Sequence, residues 1–342
     1  MKCRLATLFL FLCSILLFAA CKGGGKKAPA VSDDPVFQSD TRLKAITDRI
    51  KDNPNDAALY FTRGTMLHRM QYDSLALKDY KTASSIDTAN AGYYSAIGDL
   101  LFENKDINGS LEWIQKAVNH NPEDKKAHLK MGKLFMYMGN FQQAFKEING
   151  VLMKDVHNPE AYFLKGMVYK GVKDTARAMS NFQTAIQEMP EYRDAYIQLG
   201  LLYLKKKDTI GMQYLDNAFK LDTTDVFPIF SKATYYQEQN NIPAAKEQYR
   251  ICILRNPHYT DAFFNMGYLL MQEDSAQKAW RQYNIVTKND PLNPAGYYNR
   301  GICSEMMDSI KNAIADYRMA LSLDTAYKSP KAALARLHAS AR

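Results

Sequence analysis

Cysteine is scarce in this 342-residue chain, which contains only five. Cys3, Cys13 and Cys21 lie in or directly after an apolar N-terminal segment, so a folded domain would keep only Cys252 and Cys303. Two thiols are too few for the disulfide framework on which small secreted domains depend. We therefore expect Cys252 and Cys303 to be buried and unpaired.

Sequence motifs for catalysis and for metal binding are also missing. The chain has no HExxH sequence, no zinc-type cysteine pair, no glycine-rich phosphate loop and no Gly-x-Ser-x-Gly turn. None of the six histidines is paired with another at a metal-ligand spacing. These absences favour a protein that is not an enzyme and that uses no cofactor and no metal.

The net charge of +8 has no concentrated source. The densest basic run is Lys205–Lys207, which we interpret as a solvated helix end. A nucleic-acid-binding protein would carry a basic stripe on a recognisable module. We therefore expect no nucleic-acid partner.

Long apolar runs are limited to Leu5–Ala20, which follows the positive residues Lys2 and Arg4. A helix needs ~20 apolar residues to span a bilayer, and this run has sixteen. Its length and its small residues at the end are typical of a secretory signal peptide. The sequence therefore predicts a signal peptide over residues 1–20.

The run Leu17-Phe18-Ala19-Ala20-Cys21 resembles the lipobox of bacterial lipoproteins, although Phe18 departs from the commonest residue at its place. The resemblance implies cleavage before Cys21 and acylation of its thiol, which would anchor the chain to a membrane. Lys22 is not the acidic residue that retains some lipoproteins in the inner membrane, so the resemblance favours the periplasmic face of the outer membrane. An ordinary signal peptide followed by an incidental cysteine is the alternative.

Residues 21–39 have the composition of a flexible tether, with three consecutive glycines, two prolines and few apolar side chains. After them the chain repeats at intervals of 34 residues, with a single interval of 33 in the fifth repeat. Glycine inside a helix costs about 1 kcal/mol relative to alanine, so a recurrent glycine needs a reason, which close approach of a second helix supplies. The residues in this register are Gly64, Gly98, Gly132, Gly166, Gly200, Ala233, Gly267 and Gly301.

Large residues flank these positions at helical spacing, four residues before and three after, as Tyr162 and Tyr169 flank Gly166, except that Ser304 follows Gly301. A small residue, a bulky residue and a second small residue follow, as in Ala178, Phe182 and Ala185. This pattern resembles the tetratricopeptide repeat. The resemblance covers about eight repeats, which begin near residues 57, 91, 125, 159, 193, 226, 260 and 294.

The resemblance implies an all-α fold, a right-handed α-α superhelix of about eight helix-turn-helix repeats over residues 40–342. A solenoid of this kind needs polar caps at its ends. Leu43, Ile46 and Ile50 share one face of a predicted N-terminal capping helix. Ser329 and Pro330 predict the start of a C-terminal capping helix over residues 330–342.

In the tetratricopeptide family, positions 2, 5, 9 and 12 of the first helix of each repeat line a concave groove. Apolar and aromatic residues fill position 5 in seven of the eight repeats, and apolar surface of this extent is typical of an interface. Packing between successive helices is the alternative explanation for position 5. The residues that we assign to this predicted groove are Phe61, Lys133, Phe163, Met167, Lys170, Ile197, Phe230, Phe264, Tyr268, Met271 and Tyr298.

These features together predict a lipid-anchored scaffold of the cell envelope that binds segments of partner proteins. The resemblance implies envelope assembly, secretion or cell-wall complexes as settings. No repeat has lysine at position 5 with asparagine at position 9, so we do not expect the carboxylate clamp of some chaperone-binding relatives. A structural spacer or self-associating element is one alternative, and an enzyme acting on the cell wall is a weaker one.

Overall fold

The computed structural model describes residues 34–340, and that part of the chain consists of α-helices and one 3-10 helix, with no strand. The predicted signal peptide, Cys21 and most of the predicted tether lie outside the described residues. The chain divides into two compact units on either side of the Asn121–Pro122 bond. The predicted fold class, an all-α array of tetratricopeptide-type helix pairs with capping helices, is confirmed.

The first unit contains a short 3-10 helix, a capping helix and two helix pairs. Its elements are the 3-10 helix Pro35–Gln38, α1 (Thr41–Asp52), α2 (Ala57–Arg69), α3 (Asp73–Ile86), α4 (Ala91–Glu103) and α5 (Ile107–His120). In α1 the predicted apolar face, Leu43, Ile46 and Ile50, is buried.

The second unit contains six helix pairs and a final capping helix. These are α6 (Lys125–Tyr137), α7 (Phe141–Lys154), α8 (Pro159–Gly171), α9 (Thr175–Glu188), α10 (Arg193–Lys205), α11 (Ile210–Leu221), α12 (Phe227–Glu238), α13 (Ile242–Arg255), α14 (Thr260–Gln272), α15 (Ala276–Asn289), α16 (Pro294–Met306), α17 (Ile310–Leu323) and α18 (Lys328–Ser340). Within each unit, each helix packs on its partner in the pair and on the next pair along the chain. In both units the first helix of a pair begins where the sequence pattern began the repeat, except that α12 begins at Phe227, one residue later.

Asparagine and aspartate start most of these helices, since their side chains accept hydrogen bonds from free backbone N–H groups of the first turn. Asn158, for example, accepts from the Ala161 N–H, and Asp174 accepts from the Arg177 N–H. In seven helices, α11 and α12 among them, the N-cap residue makes no such side-chain bond. At the starts of α11 and α12 the preceding aspartates accept instead, Asp208 from the Ile210 N–H and Asp225 from the Phe227 N–H.

The turn inside each helix pair has one residue in the left-handed conformation. Its φ lies between +54° and +73° in all eight pairs, but only one of these residues is glycine. The following N–H bonds back to the first helix, as from Tyr72 to the Leu67 carbonyl at 2.9 Å, which closes the helix end. The residues are Gln71, Lys105, Gly139, Lys173, Lys207, Asn240, Asp274 and Asp308.

The recurrent glycine of the first helix, which Ala233 replaces in the sixth pair, lies where the second helix of the pair approaches closely. A Cβ on Gly166 would lie 2.7 Å from the Phe182 ring, and one on Gly98 would lie 2.6 Å from Ile114. In the shortened repeat the second helix also carries a glycine at the contact, and a Cβ on Gly211 would lie 2.5 Å from the Gly200 carbonyl oxygen. The interpretation of the glycine register as a site of close helix approach is therefore correct.

Two boundaries differ from the sequence analysis. The tether predicted to extend to residue 39 ends earlier, because Phe37 is 2% exposed and packs over the Arg63 guanidinium at 4.2 Å. The C-terminal capping helix begins at Lys328, so Ser329 lies inside the helix and is not its N-cap. Pro330 is tolerated there because N–H groups of a first helical turn have no intrahelical acceptor.

The two remaining cysteines, Cys252 and Cys303, are buried and unpaired, as predicted. Burial raises the pKa of both thiols to about 12. Since the thiolate is the reactive form, these side chains act as small apolar packing groups.

Candidate partner-binding site

Five of the predicted groove residues are position-5 rings that pack against rings of the second helix in their own pair. Phe61 lies 5.4 Å from Tyr80, and Phe163 lies 5.6 Å from Phe182. The other three contacts are Phe230 with Tyr249, Phe264 with Tyr283 and Tyr298 with Tyr317.

A third ring from the start of the next repeat completes several of these contacts. Tyr93 lies 5.1 Å from Phe61, and Tyr192 lies 5.1 Å from Phe163. Tyr259 and Tyr327 make the equivalent contacts with Phe230 and Tyr298. Position 5 therefore joins successive repeats, and only the outer edges of its half-buried rings face solvent.

The other predicted groove residues differ in exposure. Ile197 is 6% exposed and belongs to the interior, while Lys133 is half-buried. Met167 and Met271 are half-buried and pack at the borders of neighbouring apolar clusters. Tyr268 is 44% exposed, and its hydroxyl accepts a hydrogen bond from Gln272 Nε2 at 2.9 Å.

A predominantly apolar cleft lies on this face, between α10 and α12, with a volume of about 480 Å³. We call it the α10–α12 cleft. Its lining residues are Leu201, Leu204, Lys205, Phe227, Phe230, Ser231, Thr234, Tyr235 and Glu238. Of the predicted groove residues, Phe230 is the one that lines it.

The cleft lies beside the shortened repeat. Both α11 and α12 have 12 residues, whereas the other helices of the repeats have 13 or 14. Behind the cleft, Phe230 is held between Tyr249 and Tyr259, with ring centroids 5.8 and 5.3 Å away. Lys232 Nζ, on the same helix, bonds to Asp216 Oδ1 at 2.6 Å. The wall of the cleft is therefore fixed by packing and by an ion pair.

The two charged residues that line the cleft come from α10 and α12. Lys205 lines it at the end of α10, and Glu238 lines it at the end of α12. Lys170, at the end of α8, donates from Nζ to Gln198 Oε1 at 2.6 Å. Partial burial and the charge of Lys205 lower the pKa of Lys170. The cleft thus combines an apolar floor with separated charges along its sides.

Several lining residues were absent from the predicted groove. Phe227 occupies position 2 of its repeat, Ser231 occupies position 6, and Lys205 and Glu238 occupy position 13. Position 6 follows position 2 by four residues, and position 13 follows position 9 by four, so helical periodicity places all of them on one face. That spacing was the signal that could have found them.

A second cleft lies beside the C-terminal cap, between α16, α17 and α18. Charged side chains bridge it, since Arg336 Nη2 donates to Glu305 Oε2 at 2.8 Å and the Tyr317 hydroxyl donates to the same oxygen at 2.8 Å. This cleft is therefore a contact between the cap and the last repeat. No cluster of three or more metal-ligating side chains lies within residues 34–340.

Comparison with known proteins identifies the repeat. A tetratricopeptide-repeat family profile matches residues 159–191. Over 204 residues, or 60% of this chain, the sequence is 24% identical to human protein O-mannosyl-transferase TMTC1. Over 275 residues, or 70% of this chain, it is 23% identical to the TPR repeat-containing protein MJ1428 of Methanocaldococcus jannaschii. The chain spans 20% of the first relative and 45% of the second.

Among solved structures, the crystal structure of PilW, described as a widely conserved type IV pilus biogenesis factor, superposes with a TM-score of 0.50 at 15% identity. The match covers 62% of this chain and 99% of PilW. At this identity the likeness concerns the fold alone. The profile match identifies residues 159–191 as a tetratricopeptide repeat, and the helix pairs of the same design in both units show that the described residues form an array of tetratricopeptide-type helix pairs.

Proposed function

We propose that this protein is a lipid-anchored scaffold of the bacterial cell envelope, and that it binds a segment of a partner protein in the α10–α12 cleft. Repeat proteins of this type present extended surfaces to partners, and binding other proteins is the general role of the tetratricopeptide family. The cleft is the observation that carries the proposal. It is a concave, mostly apolar site with polar groups at its edges, which is the usual character of a binding site.

The proposed anchor rests on the N-terminal sequence, which lies outside the described residues. Within residues 34–340, no helix has the length and apolar character to cross a bilayer, so an anchor would have to come from elsewhere in the chain. Acylated Cys21 supplies one in the proposal, and the residues that follow would hold the repeats away from the membrane. Two or more acyl chains give stable attachment.

The anchor is tested by growing cells with a palmitate analogue that can be labelled by click chemistry. The native protein is expected to carry the label and to sediment with membranes, whereas Cys21→Ala is expected to lose the label and to appear in the soluble envelope fraction. Cys252→Ala is the matched control, because its buried thiol is not a candidate for acylation. A native protein without label would refute the anchor and leave binding in the cleft as a separate question.

The cleft is tested by site-specific photo-crosslinking in intact envelopes. Glu238 is exposed and lines the cleft, so a photoreactive amino acid there would reach a bound segment without disturbing the interior. Asn217, exposed on α11, is the control position. A defined protein is expected to be crosslinked from position 238 and not from position 217.

Blocking the cleft should abolish that product. Leu201→Arg would fill the cleft with a long charged side chain, and it avoids Phe230, whose ring also packs on Tyr249. Gln213→Arg, at an exposed site on α11, adds the same charge elsewhere. An equal product from both variants would show that the cleft is not the binding surface, and recovery of the protein alone would favour the self-associating element.

A further inference from the structure

The Tyr283 hydroxyl on α15 is buried and has no hydrogen-bond partner within residues 34–340. The residue is 0% exposed, and its ring packs in an apolar cluster with Phe264, Leu270 and Cys303. A phenol has one hydrogen to donate, and a buried donor that makes no hydrogen bond destabilises the fold. The hydroxyl of Tyr283 therefore needs a physical explanation.

Tyrosines at the equivalent place in other pairs find an acceptor on their own first helix. Each is the eighth residue of its second helix, as Tyr283 is, and each acceptor occupies position 9 or 12 of the first helix. The three hydroxyl contacts are Tyr80 with Thr65 Oγ1 at 3.3 Å, Tyr249 with Gln237 Oε1 at 2.8 Å and Tyr317 with Glu305 Oε2 at 2.8 Å.

The seventh pair has different residues at these two positions. Position 9 is Tyr268, whose hydroxyl accepts a hydrogen bond from Gln272 Nε2 at 2.9 Å, and position 12 is Met271. A thioether is a weak acceptor. The first helix α14 therefore leaves the Tyr283 hydroxyl without the partner that the other pairs provide.

The following repeat does not supply the partner either. In the sixth pair, Asn265 Nδ2 donates to the Tyr249 hydroxyl at 3.0 Å. Asn299 follows Tyr283 by the same number of residues, but its Nδ2 donates to the Ala295 carbonyl at 2.9 Å. Both contacts of the Tyr249 hydroxyl are thus missing at Tyr283.

The side chains between this hydroxyl and the concave face are ones that can move. Residues at positions 9 and 12 contact the hydroxyl in the other pairs, so Tyr268 and Met271 lie over Tyr283. Tyr268 is 44% exposed, and Met271 is half-buried. Methionine is unbranched and adapts its shape readily. A rotation of these two side chains would open the hydroxyl to a molecule on the concave face.

We infer that the concave face at α14 is a second contact for the bound partner segment, in which the Tyr283 hydroxyl donates a hydrogen bond to a backbone carbonyl of that segment once Tyr268 and Met271 move apart. This inference rests on the proposed binding function and specifies how the segment is held. The helix α14 follows α12 in the row of first helices, so a segment that leaves the α10–α12 cleft along the concave face reaches it.

The surroundings of the hydroxyl favour a backbone carbonyl as the acceptor. Phe264, Met271 and Cys303 make this part of the molecule apolar, and a charged group loses far more hydration free energy there than a neutral carbonyl does. Carbonyl groups inside an α-helix are already bonded to their own backbone. The partner segment is therefore extended where it meets Tyr283.

The first test needs no partner. Tyr283→Phe removes an unsatisfied hydroxyl, so the free protein is expected to have an equal or higher midpoint of thermal unfolding. Tyr317→Phe is the matched control, and it should lower the midpoint because it removes a hydroxyl that is bonded to Glu305. A lower midpoint for Tyr283→Phe would show that the hydroxyl is already satisfied in the free protein, for example by a buried water, and would overturn the inference.

The second test measures binding of peptides selected from a displayed library of random sequences against the full chain. Synthetic versions of the enriched peptides are expected to bind Tyr283→Phe about fivefold more weakly than the native protein, which is typical of the loss of one neutral hydrogen bond. Tyr80→Phe, at the equivalent place in the first unit, is the control and should bind as the native protein does. Equal affinities for the native protein and Tyr283→Phe would contradict the inference.

Replacing single backbone carbonyl oxygens of the peptide by sulfur then locates the acceptor, because a thioamide accepts hydrogen bonds more weakly. At one position the replacement is expected to weaken binding to the native protein and to have little further effect on binding to Tyr283→Phe. Such non-additivity is the mark of a direct contact. Additive effects at every position would show that the hydroxyl does not bind the peptide backbone.

The same peptides are tested against Leu201→Arg, so that the two proposals can fail separately. Peptides that lose affinity for Leu201→Arg but not for Tyr283→Phe would overturn this inference and leave binding in the α10–α12 cleft intact. Peptides that respond to Tyr283→Phe and not to Leu201→Arg would leave the contact at α14 and overturn the cleft. A selection that enriches no peptide sensitive to either variant would overturn both.

Discussion

The first and the eighth repeat contain the same pair of charged residues in different surroundings. Arg63 and Asp79 in the first unit occupy the repeat positions that Arg300 and Asp316 occupy in the second. Each arginine contacts its aspartate through two nitrogens. The side chains of the first pair are 2% and 5% exposed, and those of the second are 19% and 10% exposed.

The neighbours of the two guanidinium groups account for this difference. Arg63 lies under the Phe37 ring, and its third hydrogen bond is a 3.3 Å contact with Thr47 Oγ1. Arg300 donates two further bonds, to Asn284 Oδ1 at 2.9 Å and to Thr287 Oγ1 at 2.8 Å. The first pair is thus more buried and has fewer polar partners. The contact between Arg63 and Asp79 therefore has to offset more of the hydration free energy that the two charges lose on burial. The same two residue types can therefore have unequal effects on stability.

Removing the acid of the first pair should give the largest effect. Asp79→Ala leaves the Arg63 charge buried without its partner, which costs about 3–5 kcal/mol in comparable pairs. The expected result is a matching loss in the free energy of unfolding of the first unit, measured by urea titration. Faster amide hydrogen exchange should appear in α2 and α3 and not in the second unit.

A double variant provides the control for Asp79→Ala. Arg63→Met with Asp79→Leu replaces both charges by apolar groups, so no buried charge is left unpaired and the protein should be more stable than Asp79→Ala. A double variant as unstable as the single one would indicate that packing volume, and not the unpaired charge, limits this site.

The equivalent change in the eighth repeat should cost less. Asp316→Ala leaves Arg300 with Asn284 and Thr287 as acceptors and with access to water, so a loss of about 2 kcal/mol is expected. Urea titration and hydrogen exchange in α16 and α17 would measure it. Equal losses for Asp79→Ala and Asp316→Ala would show that the difference in burial does not change how much each pair contributes to stability.

The contribution of the Phe37 ring, which lies over Arg63, can be tested with a smaller change. Phe37→Leu keeps an apolar side chain over Arg63 but removes the ring face, so it should cost about 1 kcal/mol. The first unit should show a lower midpoint of thermal unfolding, while the second unit is unchanged. If Phe37→Leu has no effect while Phe37→Ala destabilises the unit, then burial rather than the contact between ring and cation is the useful property of Phe37.

The sequence predicts the repeat but not the different surroundings of the Arg63–Asp79 and Arg300–Asp316 pairs, for a physical reason. The 34-residue register reports contacts inside a helix pair, such as Gly166 against Phe182, which recur in every repeat. The burial of Phe37 depends on Arg63, which is distant in the sequence, and the residues around Phe37 have the composition of a tether. Local composition alone therefore predicts that Phe37 belongs to the flexible tether.

The candidate site, too, could be predicted from the sequence only in part. Periodicity placed Phe230 and the other position-5 residues on one face, but it gave no sign that rings of the second helices would cover most of them. The α10–α12 cleft depends on how the first helices of two successive pairs pack beside each other, which is a property of the packed helices. The missing residue was visible in the sequence, but the cleft that accompanies it was not.

The smallest expected effect concerns the ion pair that joins the eighth repeat to its cap. Hydrogen bonds from Arg336 and Tyr317 lower the pKa of Glu305 despite partial burial. A carboxyl group whose folded pKa is depressed contributes stability above its unfolded pKa, which is about 4.3 for glutamate, and loses that contribution as the pH falls through the folded value. The native protein should therefore exceed Glu305→Gln in thermal stability at pH 7, and the difference should shrink as the pH falls below about 4.3. A difference that stayed constant over this range would show that the carboxylate charge does not hold the cap, in contrast to the charge-dependent pair of the first repeat.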